Sequence, residues 1–449
     1  ERHATLAKQA AQAVEVQPLV AEQLTVPATQ ALYYDDVQQQ QFDASVLACL
    51  PLIGEDVPDG ATHAIVMDKT CFYPEGGGQE GDHGVLSTDS IHCTVLDTRK
   101  VGPHVLHLTD GPFDKGDLVH GSLDWKRRKQ LMDHHTAVHI VGGAARRVLG
   151  PHIYQAGANK SVDMARLDIT HFHRLTRDDL DAIEALANEV LGQVQRTEKT
   201  ELNRKDADKK YGFDLYQGGA PKGSSIRILR IADHDIQACG GTHHDEPGQI
   251  GSIRIVRSAA VQDGVERLHI VAGQAALNYA RQQDALLREA CELYGIPSAD
   301  LPRTSERFYN EWKEQRKRIE QLEAEIVRLR TTGGGSDSQE IDGVRIVIME
   351  AHGNLKKMTK MLKELTLDRQ QPTLAVLGSR EGGGKLMIAV TENTVASERY
   401  DAVVLLREIA PHINGGGGGR PTLAQGGGSN ADGLDAALDA ARTSVGISN

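Results

Sequence analysis

His135 and His139 stand four residues apart in a segment where Leu131, Val138, Ala145 and Val148 fall near a helical repeat. Both imidazoles therefore project from one face of the expected helix. About a hundred residues further on, Cys239-Gly240-Gly241-Thr242-His243 sets a thiol and a third imidazole on either side of a Gly-Gly turn. A fold that joins these two short pieces gathers three nitrogens and one sulfur around a point, a donor set suited to tetrahedral zinc. Alone, a His pair on a helix is usually polar surface, and a lone cysteine is usually a small buried hydrophobe. Both pairs in one domain favour a metal, and leave open whether it is structural or catalytic.

Around that domain the period of the sequence changes. Residues 1–30, rich in Ala, Gln, Val and Glu, read as a leader or linker. From 31 to 125, short apolar bursts such as Ala64-Ile65-Val66-Met67 and Val105-Leu106-His107-Leu108 alternate with Gly, Asp and Pro, and predict a small β-barrel or sandwich. Within 126–273 the first helix stops at Gly150-Pro151. A second opens at Thr176 with a stripe of Leu180, Ile183, Ala187, Val190 and Leu191. Strands follow at 226–229, 253–255 and 268–270, giving an α+β domain. Residues 274–331 read as helical, broken at Gly295-Ile296-Pro297. There Trp312, Ile319 and Ile326 recur every seven residues, interleaved with Leu322 and Leu329, as a short coiled-coil seam within one chain or between two. A Gly-Ser linker occupies 332–340, and 341–449 reads as a separate α/β domain. The expected class is multidomain α+β.

The length of 449 residues accommodates two to four domains at roughly 100–200 residues each. No stretch approaches the roughly 20 apolar residues that span a bilayer, and no signal sequence is visible at the N-terminus. Five scattered cysteines make no disulfide framework, and a reducing cytoplasm is the simplest compartment. The net charge of −12 argues against indiscriminate nucleic-acid binding. A specific RNA ligand stays open through local cationic clusters at Lys126-Arg127-Arg128-Lys129, at Arg146-Arg147 and along Lys313 to Arg330. Each of these, taken singly, reads as a solvated helix face.

The pieces His135-Thr136-Ala137-Val138-His139 and Ala238-Cys239-Gly240-Gly241-Thr242-His243 resemble the paired metal motifs of the alanyl-tRNA synthetase editing domain. Phe72-Tyr73-Pro74-Glu75-Gly76-Gly77-Gly78-Gln79 resembles the glycine motif of the β-barrel preceding that domain. Gly415 to Arg420, then Pro421 and Ala424-Gln425-Gly426-Gly427-Gly428, resembles the signature of the family's C-terminal domain. Glu1-Arg2-His3-Ala4 and Tyr154-Gln155-Ala156-Gly157-Ala158 look closest to archaeal members. The expected piece is the editing and C-terminal region, with the ATP-dependent aminoacylation domain lying before residue 1.

The resemblance implies one zinc per chain on His135, His139, Cys239 and His243, and a pocket-shaping role for Gln155. Arg166 and Asp168 are candidates for substrate contact, with a structural ion pair as the alternative. Thr136 and Thr242 are hydroxyls beside ligands; helix packing and turn formation are their alternatives. Gly76, Gly77 and Gly78 would permit close backbone approach to a tRNA end or a neighbouring domain, or make a tight barrel turn. Gly417 and Arg420 would lie near nucleic-acid phosphate. Gly415 to Arg420 lacks the Gly-Lys-Ser/Thr ending of a P-loop, so no ATP site is expected there.

The implied activity is hydrolysis of serine or glycine wrongly esterified to tRNA(Ala). A pocket that merely tolerates an added hydroxyl rejects serine by only about 100-fold, so a second, hydrolytic site is the physical remedy. Gln155 and Thr136 are the candidates to read the serine hydroxyl. The C-terminal domain would bind tRNA(Ala), dimerise, or both. The alternatives are a free-standing editing protein of the AlaX type, a tRNA-binding module with structural zinc, and a phosphoesterase suggested by Asp133-His134-His135. The last lacks the further aspartates a two-metal site requires.

Overall fold

The computed structural model describes residues 24–52, 57–194, 196–217, 219, 223–332, 338–366 and 370–447. Most of the expected leader, and the centre of the expected linker, lie outside the described residues. The chain divides into two compact units, Glu1–Gly295 and Ile296–Asn449.

In the first unit a two-residue strand β1 (Gln30–Ala31) runs parallel to β4 (Lys69–Thr70). A barrel closes from β2 (Gln41–Pro51), β3 (His63–Met67), β5 (Gly84–Ser87), β6 (His92–Val101), β7 (His104–Thr109) and β8 (Leu118–Leu123), in the order β2-β3-β7-β6-β5-β8. Alternation along β2 turns Phe42, Ala44 and Val46 inward, onto Phe72, Leu86 and Val95. Each large side chain buried there contributes about 1.5–3 kcal/mol.

The barrel passes directly into α1 (Trp125–Leu149) through Asp124, whose carboxylate caps the helix by accepting from the Arg127 amide. The helix ends at Gly150, whose φ of 119° no L side chain adopts readily. Around α1 stand β9 (Gln155–Lys160), β10 (Ala165–Thr170), α2 (Arg177–Gln193), β11 (Glu198–Asn203), α3 (Arg204–Tyr211), β12 (Ser225–Ile231), β13 (Asp235–Ala238), β14 (Ile253–Gln262), β15 (Val265–Ala272) and α4 (Gln274–Tyr294). Two sheets result, β14-β15-β10-β9 and β11-β12-β13, both antiparallel. The α2 stripe expected from the sequence is buried against Val138, Val141 and Ala145 of α1. Thr176 and Asp179 form its capping box. With α1 buried on nearly every side from Arg128 to Ala145, its histidines face protein rather than water.

The second unit opens with α5 (Leu301–Thr332). Then come β16 (Ser338–Ile341), β17 (Val344–Glu350), α6 (Leu355–Thr366), β18 (Thr373–Ser379), β19 (Gly384–Val390), α7 (Val395–Arg399), α8 (Ala402–Ile409), β20 (Gly415–Arg420), β21 (Leu423–Gly428) and α9 (Leu434–Ser444). Its six-stranded sheet runs β16-β17-β18-β19-β21-β20, with β17 and β18 parallel. Ile346 and Ile348 pack with α8 and α9, while Val347 and Met349 pack with α6 on the other face. This is the α/β arrangement the sequence suggested.

Two features differ from a simple reading. The glycine run at 415–420 is an edge strand in a hairpin with β21. A Cβ on Gly417 would sit 2.2 Å from the Gln425 carbonyl oxygen, while Gly418 has open space. On α5, Trp312, Ile319, Leu322 and Ile326 are 44–56% exposed rather than buried in a seam within the described residues. Among the described residues, no helix is long and apolar enough to cross a membrane.

Candidate metal centre

Helix α1 and the turn after β13 bring His135, His139, Cys239 and His243 together, with one donor atom of each within 4.8 Å of the others. The Cys239 sulfur lies 3.4 Å from His135 Nε2 and 3.2 Å from His243 Nε2. Gly241 is required for this approach, because a Cβ there would meet the His135 ring at 2.1 Å.

Hydrogen bonds from outside the cluster decide which nitrogens are bare. The Thr242 amide can only donate, and it donates to Gln79 Oε1 at 3.2 Å. That fixes Oε1 as the acceptor, so His135 Nδ1, 2.7 Å away, carries a proton and Nε2 is bare. Asp235 Oδ2 accepts from His139 Nδ1 at 3.1 Å, which leaves Nε2 as the atom His139 can offer to an ion. His243 Nδ1 lies 3.4 Å from Thr136 Oγ1. Three imidazoles and the Cys239 sulfur thus converge in a buried pocket, the nitrogen and sulfur donor set that a tetrahedral divalent ion takes. The residues fit zinc.

The electrostatics describe a thiolate beside a cationic His139, whose inward proton a bound metal would displace. Burial alone would raise the Cys239 thiol, but His135, His243 and His139 outweigh it and hold the thiol well below its usual range. Burial would lower His139, yet Cys239 and Asp235 lift it to about 9. Burial, with Lys160 nearby, holds His135 at about 4.

The barrel is part of this centre. Gly76 and Gln79 exchange both backbone hydrogen bonds at 3.0 Å, and Gly77 and Gly78 have φ of 59° and 72°, a two-residue turn of primed type. The turn docks on β9: Lys160 N donates to Gly78 O at 2.6 Å, and Lys160 Nζ to Gly77 O at 2.8 Å. A Cβ on Gly78 would meet the Ala158 carbonyl oxygen at 2.2 Å. The glycines thus make a tight turn and permit close approach to the neighbouring domain, and together these deliver Gln79.

Comparison with known proteins finds matches along the chain. A family model described as tRNA synthetases class II (A) covers residues 1–127, one described as Threonyl and Alanyl tRNA synthetase second additional domain covers 226–269, and the DHHA1 domain covers 343–446. The alanine–tRNA ligase of Natronomonas pharaonis is 40% identical over 417 residues, covering 93% of this chain and 44% of the relative. That of Halobacterium salinarum is 42% identical over 422 residues, covering 94% and 44%. The chain belongs to the alanyl-tRNA synthetase family. It spans less than half the length of these archaeal relatives. A solved C-Ala domain from the Aquifex aeolicus alanyl-tRNA synthetase aligns with 23% of the chain and 91% of that domain at 23% identity and a TM-score of 0.20, too low to inform the fold.

The other candidates divide. Gln155 lines a cleft of about 630 Å3 that also includes Val138, Arg146, Asp235 and Gln237. Asp235, by holding His139, links this cleft to the metal ligands. Thr136 is buried, and its oxygen is taken by His243 and by the His244 amide, 3.3 Å away. It sits beside a candidate metal ligand, with these groups around its oxygen. Arg166 and Asp168 alternate with Leu167 and Ile169, which line the cleft, and so face away from it. Asp168 is clamped by Arg267 at 2.6 and 2.8 Å, the structural pairing. Thr242 bonds Gln79. Gly417 and Arg420 lie in the second unit.

Asp133 belongs to a different network. It binds Lys129 and, at 2.7 Å, His244, and is not among the metal donors. The cationic run before it is only partly a solvated face. Arg128 is fully buried on Asp82 and the Cys71 carbonyl, and Arg127 reaches Glu80 at 2.8 Å. Those cations bolt the family's barrel to α1. Gln79 and Asp235 were missed as functional residues. Gln79 stood in the quoted glycine motif, and Asp235 sits four residues before Cys239, but nothing in the spacing announces a partner for a ring nitrogen.

Proposed function

We propose that this chain is the proofreading part of an alanyl-tRNA synthetase, hydrolysing the ester of serine or glycine wrongly joined to tRNA(Ala). The observation that carries this is the convergence of His135, His139, Cys239 and His243, the last two within the segment matched by the second additional domain. A zinc ion held by these four side chains would supply Lewis acidity and fixed positive charge toward the amine and carbonyl of the aminoacyl ester. Gln79 and Asp235 keep the protons on the Nδ1 atoms of His135 and His139, which directs both Nε2 lone pairs inward.

The cleft beside the cluster would take the acylated adenosine. Gln155 on its wall is the reader of the serine hydroxyl: alanine would leave that amide unpaired, the kind of mismatch that discriminates strongly. The second unit would bind tRNA through its glycine hairpin, Gly417 and Arg420 included, and the exposed seam on α5 supports dimerisation.

A second reading, a structural zinc in a tRNA-binding module, is favoured by one feature. Four protein donors already fill a tetrahedral shell. One experiment separates the two. Purified chain is given serine-charged and alanine-charged tRNA(Ala), with and without a chelator. Serine release with alanine spared, abolished by chelation and by Cys239→Ala, supports proofreading. Retention of tRNA without serine release supports the structural reading, and equal decay of both esters ends the proposal.

A further inference from the structure

A cluster of rings stands open at the rim of the cleft, on the loops after α1 and β10. His152 Nε2 and His171 Nδ1 are hydrogen-bonded at 2.9 Å, and their rings stack at 5.2 Å between centroids and 23°. Phe172 lies 5.0 Å from each, and His173 lies 4.6 Å from Phe172. Yet Phe172 is 68% exposed, which folding does not require of a phenylalanine. The rings are held in place by their backbone. Thr170 Oγ1 donates to His152 O at 2.7 Å and accepts from Tyr154 N at 2.8 Å. A surface ordered in advance loses little entropy on binding.

The cluster is continuous with the cleft. Tyr154, itself 42% exposed, is two residues from His152, and Arg146 lies over its ring at 5.1 Å while also lining the cleft. Inside, the acids are matched: Asp214 by Arg146 at 3.2 Å, Asp233 by Arg230 at 2.9 Å, and Asp235 by His139. Arg147, which donates to the Asp233 carbonyl at 2.6 Å, and Lys210, 4.7 Å over the Tyr211 ring, line the same cleft without a carboxylate partner among the described residues. Exposed ring faces leading into a groove with spare cations are what a single nucleic-acid strand requires: bases stack on rings while phosphates meet positive charge. The cations that line the cleft beside the rings match phosphates, which favours a nucleic-acid strand over a protein face.

We infer that His152, Tyr154, His171 and Phe172 form a stacking platform for the single-stranded 3′ end of an RNA, which passes over Arg146 into the cleft. The inference rests on the proposed reading for what lies at the end of that strand.

The test uses the full zinc-loaded chain and a labelled RNA hairpin bearing a short single-stranded 3′ overhang, with a blunt hairpin as control. Phe172→Ala should weaken overhang binding by about tenfold, the size of one lost base–ring stack. It should leave the blunt hairpin unchanged, and Phe172→Trp should restore the loss. Equal binding of the overhang by wild type and Phe172→Ala overturns the platform, as does an equal loss for both hairpins. Hydrolysis of seryl-adenosine, which carries no overhang to stack on the rings, is measured alongside. If no variant hydrolyses it while overhang binding still follows Phe172, the proofreading reading fails and the platform stands. If hydrolysis proceeds and binding ignores Phe172, the platform fails alone.

Discussion

Replacing Gln79 tests whether the barrel helps to hold the metal. The side chain is fully buried and bonds His135 Nδ1 at 2.7 Å, the Thr242 amide at 3.2 Å and Thr242 Oγ1 at 2.8 Å. Gln79→Ala strands two buried N–H donors, at about 1–3 kcal/mol each. Part of that cost falls on the turn itself. The part that falls on the ligand should appear as a zinc Kd higher by about 10–100-fold, the usual effect of removing a histidine ligand's outer partner. Gln79→Glu keeps an acceptor for both donors and should lose less than about tenfold. Competition against a chromogenic chelator at fixed pH measures both values, and thermal melting with and without zinc separates affinity from stability. Wild-type affinity in Gln79→Ala would refute the reasoning, and so would equal damage from both variants.

Other outcomes follow from the same geometry. Arg128→Met should destabilise the first unit by about 3–5 kcal/mol, since it leaves the buried Asp82 carboxylate with the Tyr73 amide but without its counter-charge. Adding Asp82→Leu should recover part of this in chemical denaturation. In the second unit, Gly417→Ala should cost about 1–3 kcal/mol through collision with the Gln425 carbonyl, whereas Gly418→Ala should change the melting temperature little. His107 is buried between Thr70 and the Ile65 carbonyl, and burial pushes it down to about 4. Below pH about 6.5 the unfolded chain takes up a proton that the folded barrel refuses, so this group costs nothing at pH 7 and about 2 kcal/mol at pH 5. His107→Gln should remove that slope from denaturation midpoints measured across pH 7 to 5.

The metal cluster was legible because its halves are local. Four-residue spacing on a helix and a Gly-Gly turn between Cys239 and His243 fix each pair before any tertiary contact forms. The α2 stripe and the stop at Gly150 were legible for the same reason. What escaped depends on contacts between distant segments. Arg127 and Arg128 carry the pattern of a solvated face, and only the barrel's Glu80 and Asp82 turn them inward. For Thr136 the sequence left substrate contact and helix packing both open, because its burial against His243 is invisible there. Asp168 finds Arg267 a hundred residues away across β15. The Phe172 rings left no trace, since their meeting requires two loops to be joined by Thr170.

One glycine turn reaching across from a neighbouring body makes the two parts thermodynamically reciprocal. Whatever Gln79 contributes to keeping an ion on His135, the ion must return in equal measure to keeping the turn seated on β9. Occupancy and the grip of barrel on body are two readings of one equilibrium. A chelator would therefore loosen a joint as well as empty a site, and a transplant of the zinc-bearing body without its barrel would carry a weaker version of both.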